Sequence, residues 1–418
     1  METIKKILSN VYVISIVKKL NVIVFGVLTT ALLSRYLGPE NMGQYSYLLS
    51  VANILITVFN LGINQAYPNF RRKDESLYLS IFLSLSLFLF LALSAITLIS
   101  FLFLNDIYLS MILLLSTIGV LRIQLIQYTL VEKIMWHSIS AIISSFSNFL
   151  MLVFVVMFYE SNIIIALIVY LIKDLTVIII SLYSLRDSLL NLKFTLFSHW
   201  GQIIKYGIIP TYTTLLVTLN YQIDVIILKD IGIDLRLIGL YSAGVSLAQY
   251  GWLIPDIFKD VMINKTAKSD DIKNMSFSLR LSSTLMIFVY VALFICGELI
   301  MKILFGNEFI EGYPISILIF LGIYSMIYTK IIGTLYIAQG KLRFYASVLT
   351  LSVVLNIIGN YLLIPIFNIY GAGMTTVASY TLAGLIFLYD FKRTYSLRFK
   401  DIMIVSKEDI RLIYKTFF

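Results

Sequence analysis

The sequence predicts an all-α polytopic membrane protein with about 12 transmembrane helices. Of its 418 residues, 59% are hydrophobic and 13% are charged, against about 45–50% and about 25% in soluble domains. Apolar stretches long enough for a membrane helix, about 18 residues or more, recur from Val11 almost to the last residue. This composition excludes a cytosolic enzyme, a nucleic-acid-binding module and a secreted disulfide scaffold.

The apolar runs between helix breakers give the individual spans in order. In the first half of the chain they predict spans at 11–34, 43–67, 77–104, 107–131, 137–159 and 161–185. In the second half they predict spans at 206–229, 238–262, 279–304, 313–339, 343–365 and 370–391. Because the number of spans is even, both termini are expected on the same side of the membrane.

The longest internal connection separates the two sets of spans and is interpreted as a linker. We therefore predict an N-terminal six-helix lobe over 1–190, a cytoplasmic linker over 191–205, a C-terminal six-helix lobe over 206–391 and a basic cytoplasmic tail over 392–418. The halves echo each other weakly, with chance similarity as the alternative: Gly43-Gln44-Tyr45-Ser46 resembles Gly239-Leu240-Tyr241-Ser242. Two lobes of six spans share one orientation and leave a central cavity between them. The apolar residues of the tail are expected to lie against lipid headgroups.

Lysine and arginine predict the orientation. With cytoplasmic termini, the inside segments hold 23 of the 32 basic residues, whereas the outside segments hold only Arg35, Lys229, Arg236 and Lys302. This asymmetry follows the positive-inside rule. The remaining basic residues lie inside spans and are Lys18, Lys19, Arg122, Lys173 and Lys330.

These intramembrane charges are the candidate site residues. A charge at mid-bilayer costs at least about 2.5–3.5 kcal/mol, so it usually faces protein or water and often marks a transport path. Arg122 and Lys173 are the deepest, and a guanidinium suits a phosphate or a carboxylate; the structural alternative is that Arg122 only pairs with Asp174 or Glu132. Lys18, Lys19 and Lys330 lie nearer the cytoplasmic face and could instead snorkel to the headgroups.

Acidic residues in the spans are fewer than basic ones. Lys173 and Asp174 are neighbours that point about 100° apart on a helix, so we expect them not to pair well with each other. Asp224 is a candidate for taking up a coupling proton or cation, with ordinary interhelical hydrogen bonding as the alternative. Asp256 is expected to be structural, and Pro255 to kink or end its helix. The excess of basic groups favours an anionic substrate over an organic cation.

Catalytic signatures are missing from the sequence. There is no phosphate-binding Gly-rich loop with a lysine, which argues against ATP hydrolysis. His137 and His199 lie in different connections without metal-ligand spacing, and Cys296 is alone. We therefore expect a protein that is not an enzyme and that needs no cofactor or metal.

Motifs across nearly the whole chain resemble those of Wzx-type polysaccharide flippases. The most specific is the segment over 34–45 after the first span, SRYLGPENMGQY, which is followed by Gly62. Weaker matches are Asp224 before Gly239-Leu240-Tyr241-Ser242-Ala243, Ala338-Gln339-Gly340-Lys341, and Tyr370-Gly371-Ala372-Gly373.

The resemblance implies membership of the multidrug, oligosaccharidyl-lipid and polysaccharide exporter superfamily, with a MATE-like fold of two six-helix lobes. It implies alternating access for an undecaprenyl-pyrophosphate-linked repeat unit of O-antigen (lipopolysaccharide) or capsule, flipped across the bacterial inner membrane and coupled to an ion gradient. Substrate binding then falls to Arg122 and Lys173, and less directly to Lys18, Lys19 and Lys330. Asp224 matches a common acidic position of the family, and our own hypothesis is that Asp224 or Asp174 acts in ion coupling.

The resemblance also bears on the partners. Expected partners are the lipid-linked repeat unit, membrane lipid and the polymerase and chain-length proteins of the same pathway, with no nucleic acid and a functional monomer. One alternative is a cation or drug exporter of the same fold. A membrane polysaccharide polymerase is a further alternative, but such enzymes need a sizeable outward loop, and every predicted outward loop is short. A structural scaffold would not explain deep, uncompensated lysines.

Overall fold

The protein is helical throughout the part that its computed structural model describes, which is residues 11–190, 199–266 and 271–405 together with Asp409. Within these residues no strand is formed, so the predicted all-α class is confirmed. The long helices follow from uninterrupted apolar runs, because a backbone in lipid must satisfy its hydrogen bonds within the helix.

Helices of the first half follow the predicted spans closely. They are α1 Val11–Phe59, α2 Ile63–Arg71, α3 Glu75–Phe103, α4 Ile107–Glu132, α5 Ile134–Phe158, α6 Ile163–Ser184 and the short α7 Arg186–Leu190. Helix α8, Trp200–Asp230, follows residues 191–198, which lie outside the described residues. The predicted linker over 191–205 is therefore helical from Trp200 onward.

In the second half of the chain, one predicted span consists of two shorter helices. They are α9 Leu235–Gln249, α10 Leu253–Thr266, α11 Ile272–Leu304, α12 Tyr313–Ala338, α13 Leu342–Phe367, α14 Ile369–Thr394 and the short α15 Lys400–Met403. A 3-10 turn over Tyr250–Trp252 joins α9 to α10. The break in this span thus precedes Pro255, which lies in the first turn of α10, where proline is tolerated.

Helix α1 contains the junction between the first two predicted spans. Gly38 has φ 68° and ψ 172° inside an otherwise helical run, a conformation that suits glycine. The following Pro39 lacks a backbone N–H to donate to the preceding turn. The helix axis therefore changes direction at one residue, Gly38, whereas the sequence predicted a loop over 34–43.

Ten segments among the described residues are long and apolar enough to cross a membrane. The first, Val17–Arg71, includes the break at Gly38. Helix α8 is not among the ten, because the polar stretch at 220–224 interrupts its apolar residues, but its 31 residues reach about 46 Å at 1.5 Å per residue. If α1 counts as two spans and α8 as one, the helices match the 12 predicted spans.

The chain divides into two compact units, Met1–Thr218 and Leu219–Phe418. In the first unit α1 packs against α4, α5 and α6, and aromatic residues of α2, α3 and α4 form its core, with Tyr67, Phe82 and Tyr128 fully buried. In the second unit α12 is the central helix and packs against α9, α10, α11 and α14. The predicted lobe boundaries at 191–205 stay a prediction.

The start of the basic tail docks on the protein. Ile402 in α15 is fully buried, and α15 packs against α11. Arg280 of α11 donates from Nε to Oδ2 of Asp409 at 2.7 Å and from Nη2 to Oδ1 at 2.6 Å. This part of the tail therefore contacts α11, where the sequence predicted a headgroup anchor; residues 406–408 and 410–418 lie outside the described residues.

Candidate functional site: intramembrane charges of the two units

The first unit brings Arg122 of α4 together with Lys173 and Asp174 of α6. Nε of Arg122 lies 2.9 Å from Oδ2 of Asp174, and Nζ of Lys173 lies 3.7 Å from Oδ1. Lys173 and Asp174, which we expected not to pair well, are in long contact without a hydrogen bond, because the flexible lysine stem reaches part of the way around the helix. Of the two acids that the sequence offered as partners of Arg122, Asp174 is the one in contact, while Glu132 pairs with Arg71 at 2.7 Å. Whether Arg122 only pairs or also binds substrate stays a prediction.

This cluster retains unused polar capacity and a net positive charge. The side chain of Asp174 is 1% exposed, whereas those of Arg122 and Lys173 are 20% and 26% exposed. Although the Arg122–Asp174 contact is short, both Arg122 Nε and Asp174 Oδ1 lack a hydrogen-bond partner among the described residues. Two cations thus share one buried carboxylate.

Tyr170 lies beside this cluster on α6. Nζ of Lys173 is 3.7 Å from the centroid of the Tyr170 ring, a cation–π distance. The ring stabilises the ammonium without neutralising its charge. The basic pair therefore keeps its capacity to attract an anion while both cations stay partly accessible.

Lys18 and Lys19 lie elsewhere in the first unit, near the start of α1. Nζ of Lys18 is 3.4 Å from Nε2 of His137 on α5, and Lys19 is exposed. The structure thus pairs Lys18 with a helix that carries neither Arg122 nor Lys173.

Lys330 belongs to a third cluster, in the second unit. Its Nζ donates a hydrogen bond to Oδ1 of Asp256 at 2.8 Å and lies 3.8 Å from the centroid of the Trp252 ring. Lys259 also lies 3.5 Å from Asp256. Lys330, which the sequence expected either to bind substrate or to snorkel to the headgroups, thus has a counter-charge from Asp256 on the neighbouring helix α10.

Asp224 is the centre of a buried polar network in the second unit. Its Oδ2 accepts hydrogen bonds from Tyr241 Oη at 2.7 Å and Thr376 Oγ1 at 2.5 Å. Its Oδ1 accepts from Asn360 Nδ2 at 2.7 Å, and the same amide donates to Asn356 Oδ1 at 3.1 Å. All of these hydrogen-bond donors are neutral, so the network stabilises a carboxylate without cancelling its charge.

Four residues of the network around Asp224 were not predicted as a site from the sequence. Asn356, Asn360, Thr376 and Tyr241 are not among the candidate site residues of the sequence analysis. The available signal was the spacing of Asn356 and Asn360, which are four residues apart and share a face of α13. What the sequence lacked was the tertiary packing that brings this face to α8, α9 and α14.

The site chemistry differs between the two units. The first unit offers two partly exposed cations that can bind an anion, whereas the second offers a buried carboxylate ringed by hydroxyl and amide groups. In the described part of the chain, His, Cys, Asp and Glu side chains form no group of three or more that could hold a metal ion. Asp174 and Asp224, both proposed for ion coupling, belong to separate units.

Known proteins resemble the chain in sequence and in fold. The family described as "polysaccharide biosynthesis protein" matches residues 7–253. The capsular polysaccharide biosynthesis protein CapF of Staphylococcus aureus is 23% identical over 372 residues, which cover 85% of this chain and 92% of CapF.

Solved structures extend the likeness to the fold. The lipid II flippase MurJ in an inward closed conformation has a TM-score of 0.67 and 18% identity and covers 97% of this chain and 93% of its own. An inward-facing multidrug resistance MATE family transporter of the MOP superfamily has a TM-score of 0.69 and 12% identity. The alignment covers 89% of this chain and 94% of the transporter. The protein therefore has the MATE-like fold, and its apolar helices make it a multi-pass integral membrane protein. Because the family match spans well over half of the 418 residues, the chain belongs to the polysaccharide biosynthesis protein family.

Proposed function

We propose that the protein is a flippase that moves an undecaprenyl-pyrophosphate-linked oligosaccharide repeat unit from the cytoplasmic to the periplasmic leaflet of a bacterial inner membrane. The family supports a role in polysaccharide biosynthesis, and the fold is shared with a lipid II flippase and with MATE transporters. The cargo is a repeat unit of O-antigen or capsule, and the capsular relative favours the latter. Alternating access carries it across the membrane.

The observation that carries this proposal is the basic pair Arg122 and Lys173. A pyrophosphate attached to a hydrophilic glycan needs cations to replace its lost hydration inside the membrane. The guanidinium fork of Arg122 can bind two phosphate oxygens at once, and Lys173 adds a second positive charge. Both side chains are partly exposed, whereas their shared carboxylate is buried.

Asp174 acts in this proposal as an internal counter-ion. In the absence of substrate it holds Arg122 at 2.9 Å and Lys173 at 3.7 Å. An arriving pyrophosphate competes with it for both cations, and when the pyrophosphate leaves, the carboxylate takes its place. This exchange avoids leaving a bare cation in the membrane at any stage. Protonation of Asp174 would weaken this competition and so tune release.

Asp224 is proposed as the ion-coupling residue of the second unit. Its donors are two hydroxyls and an amide, so a proton or a monovalent cation can balance its charge without breaking a salt bridge. Oδ1 of Asn360 is buried and without a hydrogen-bond partner among the described residues, which adds one more oxygen at the same place. Lys18, Lys19 and Lys330 are proposed as lesser contacts of the substrate.

The remaining features follow from this role. A flippase of this kind receives its cargo from cytoplasmic assembly enzymes and delivers it to a polymerase and chain-length proteins of the same pathway. It contains no catalytic centre, has both termini in the cytoplasm and acts as a monomer. A drug exporter of the same fold is disfavoured, because a site with two basic side chains and one carboxylate repels an organic cation.

The test is the leaflet location of lipid-linked repeat units in cells that lack the gene. We expect repeat units to accumulate facing the cytoplasm, and plasmid-borne wild-type protein to restore their periplasmic exposure. If the units instead reach the periplasm but stay unpolymerised, the protein is a polymerase. If repeat units are unaffected while efflux of an ethidium-type dye falls, it is a drug exporter.

A further inference from the structure

Two different kinds of group hold the ammonium of Lys330 in the second unit. Its Nζ lies 2.8 Å from Oδ1 of Asp256 and 3.8 Å from the centroid of the Trp252 ring. A carboxylate provides the counter-charge for a cation, and the face of an indole ring attracts an ammonium even when the ammonium has no N–H to donate. Together they form the kind of site that binds organic ammonium ions, and here the bound ammonium belongs to the chain itself.

The local sequence places the ring and the carboxylate on one side of α10. Trp252 ends the 3-10 turn over Tyr250–Trp252, and Asp256 follows four residues later in the first turn of α10. Side chains four residues apart lie one above the other along a helical chain. A Cβ added at Gly251 would lie 2.6 Å from the ring of Phe320 on α12. The glycine therefore permits the close approach of the turn to α12, the helix that carries the lysine.

Two tyrosine rings from other helices contact Trp252. The ring centroid of Tyr221 on α8 lies 5.9 Å from that of Trp252, and the centroid of Tyr380 on α14 lies 6.3 Å from it. Oη of Tyr380 donates a hydrogen bond to the carbonyl oxygen of Asn220 at 2.9 Å, which fixes the Tyr380 ring. Since packing orients the indole, its face should stay in place when Lys330 is removed.

The carboxylate side of this site is accessible. The side chain of Asp256 is 41% exposed, and that of Lys330 is 15% exposed. Lys259, one turn further along α10, lies 3.5 Å from the same carboxylate oxygen and is 36% exposed. Asp256 therefore keeps an ion-pair partner when Lys330 is replaced, so the substitution does not leave a bare carboxylate in the membrane.

We propose that Lys330 is the built-in occupant of a site for organic ammonium ions and that it keeps cationic solutes out of the second unit. Its stem and ammonium fill the space between the ring and the carboxylate, and its charge repels a second cation there. Lys330 is thus a specificity-determining residue that acts against cations. This inference goes beyond the proposed function, because it concerns solutes that the protein rejects and does not depend on which anionic cargo it carries.

The test measures the binding of tetramethylammonium to the full-length purified protein by isothermal titration calorimetry. We expect Lys330→Ala to bind this ion at least about tenfold more tightly than wild type, because the substitution empties the space and leaves the ring and the carboxylate. Lys259→Ala is the matched control. It removes the other cation from Asp256 but leaves Lys330 in place, so it should bind no more tightly than wild type.

A second substitution tests the ring. Tetramethylammonium has no N–H to donate, so its binding depends on the aromatic face. We expect Trp252→Leu, made in the Lys330→Ala background, to weaken binding about tenfold. Thermal unfolding and size-exclusion profiles show whether each variant is folded. Lys330→Ser or Trp252→Met replaces a variant at the same position that is not.

Three results would overturn the assignment. They are binding to folded Lys330→Ala that is no tighter than to wild type, equally improved binding to Lys259→Ala, and binding that is unchanged by Trp252→Leu. None of them bears on the leaflet location of lipid-linked repeat units in cells. Failure of the ammonium site is therefore distinguishable from failure of the proposed flippase activity.

Discussion

Arg122 and Asp174 form a buried ion pair that has two possible uses, a structural one and a ligand-binding one. Removing only the arginine leaves a carboxylate buried beside a lysine 3.7 Å away, and breaking a buried pair costs about 3–5 kcal/mol. A simple loss of export in Arg122→Gln therefore does not separate instability from lost binding. Neutralising both partners avoids leaving the buried carboxylate of Asp174 without Arg122.

The first prediction concerns the double variant Arg122→Gln with Asp174→Asn. We expect it to fold like wild type, because Lys173, which loses its carboxylate, is 26% exposed and keeps its contact with the Tyr170 ring. We expect it to export roughly 10-fold or more slowly, the effect of losing a charged hydrogen bond to substrate. Export rate and thermal unfolding are measured together. Arg236→Gln is the matched control, since Arg236 is exposed and pairs with Glu311 at 3.2 Å. Wild-type export by the double variant would assign Arg122 a structural role only.

The second prediction concerns Asp224→Asn. The substitution keeps the size of the side chain and removes the charge that a proton or cation would balance. We expect a folded protein whose export no longer responds to an imposed proton or sodium gradient, falling at least about 10-fold if coupling is lost. Asp230→Asn is the control on the same helix, because Asp230 is exposed and accepts from Tyr361 at 3.0 Å. Gradient-dependent export by Asp224→Asn would remove the coupling role.

At this scale the sequence located the charges but not their partners. Insertion energetics identified Arg122, Lys173 and Asp224 without any structure, because a charge in an apolar run is conspicuous. Pairing depends on which helix faces which, so Asp256 beside Lys330 and Asn360 beside Asp224 could not be predicted.

Backbone geometry at Gly62 fixes the junction between two helices. Gly62 joins α1 to α2 with φ 67°, and a Cβ added there would overlap the carbonyl oxygen of Gly207 in α8. Positive φ costs a residue with a Cβ about 1–2 kcal/mol. The glycine therefore permits both the turn and the close approach of the two backbones.

The third prediction compares two glycine substitutions. We expect Gly62→Ala to lower the free energy of unfolding by about 2–4 kcal/mol, from the strained φ and the forced separation of the backbones. Gly26→Ala is the control, since a Cβ added at Gly26 would meet nothing within 4 Å, and it should be neutral or stabilising by up to about 1 kcal/mol. Thermal unfolding in detergent measures both. Equal melting temperatures would contradict the close packing at Gly62.

The sequence predicted which helices exist better than it predicted where each helix begins and ends. Long apolar runs determined the helices, since lipid leaves the backbone no alternative. The junctions between helices depend on local backbone angles, which composition does not reveal. At Gly38 the expected loop is reduced to one residue. In the span where a kink was expected at Pro255, a 3-10 turn over Tyr250–Trp252 interrupts the α-helix.

The orientation of the whole molecule follows from its basic residues and is the fourth prediction. In a Cys296→Ala background, Glu160→Cys and Lys133→Cys place thiols at opposite ends of α5, both at exposed positions. We expect a membrane-impermeant thiol reagent to label Glu160→Cys in intact spheroplasts and Lys133→Cys only after permeabilisation. The reverse pattern would invert the topology and place the termini outside.

Transport of a lipid-linked glycan is the central claim, and reconstitution tests it most directly. Purified protein in liposomes would be given a labelled polyprenyl-pyrophosphate oligosaccharide, and a membrane-impermeant lectin would report how much reaches the opposite leaflet with time. We predict transfer by wild type and Arg236→Gln, and transfer slowed roughly 10-fold or more in Arg122→Gln with Asp174→Asn. Wild-type transfer no faster than that of protein-free liposomes, with and without an ion gradient, would contradict the account.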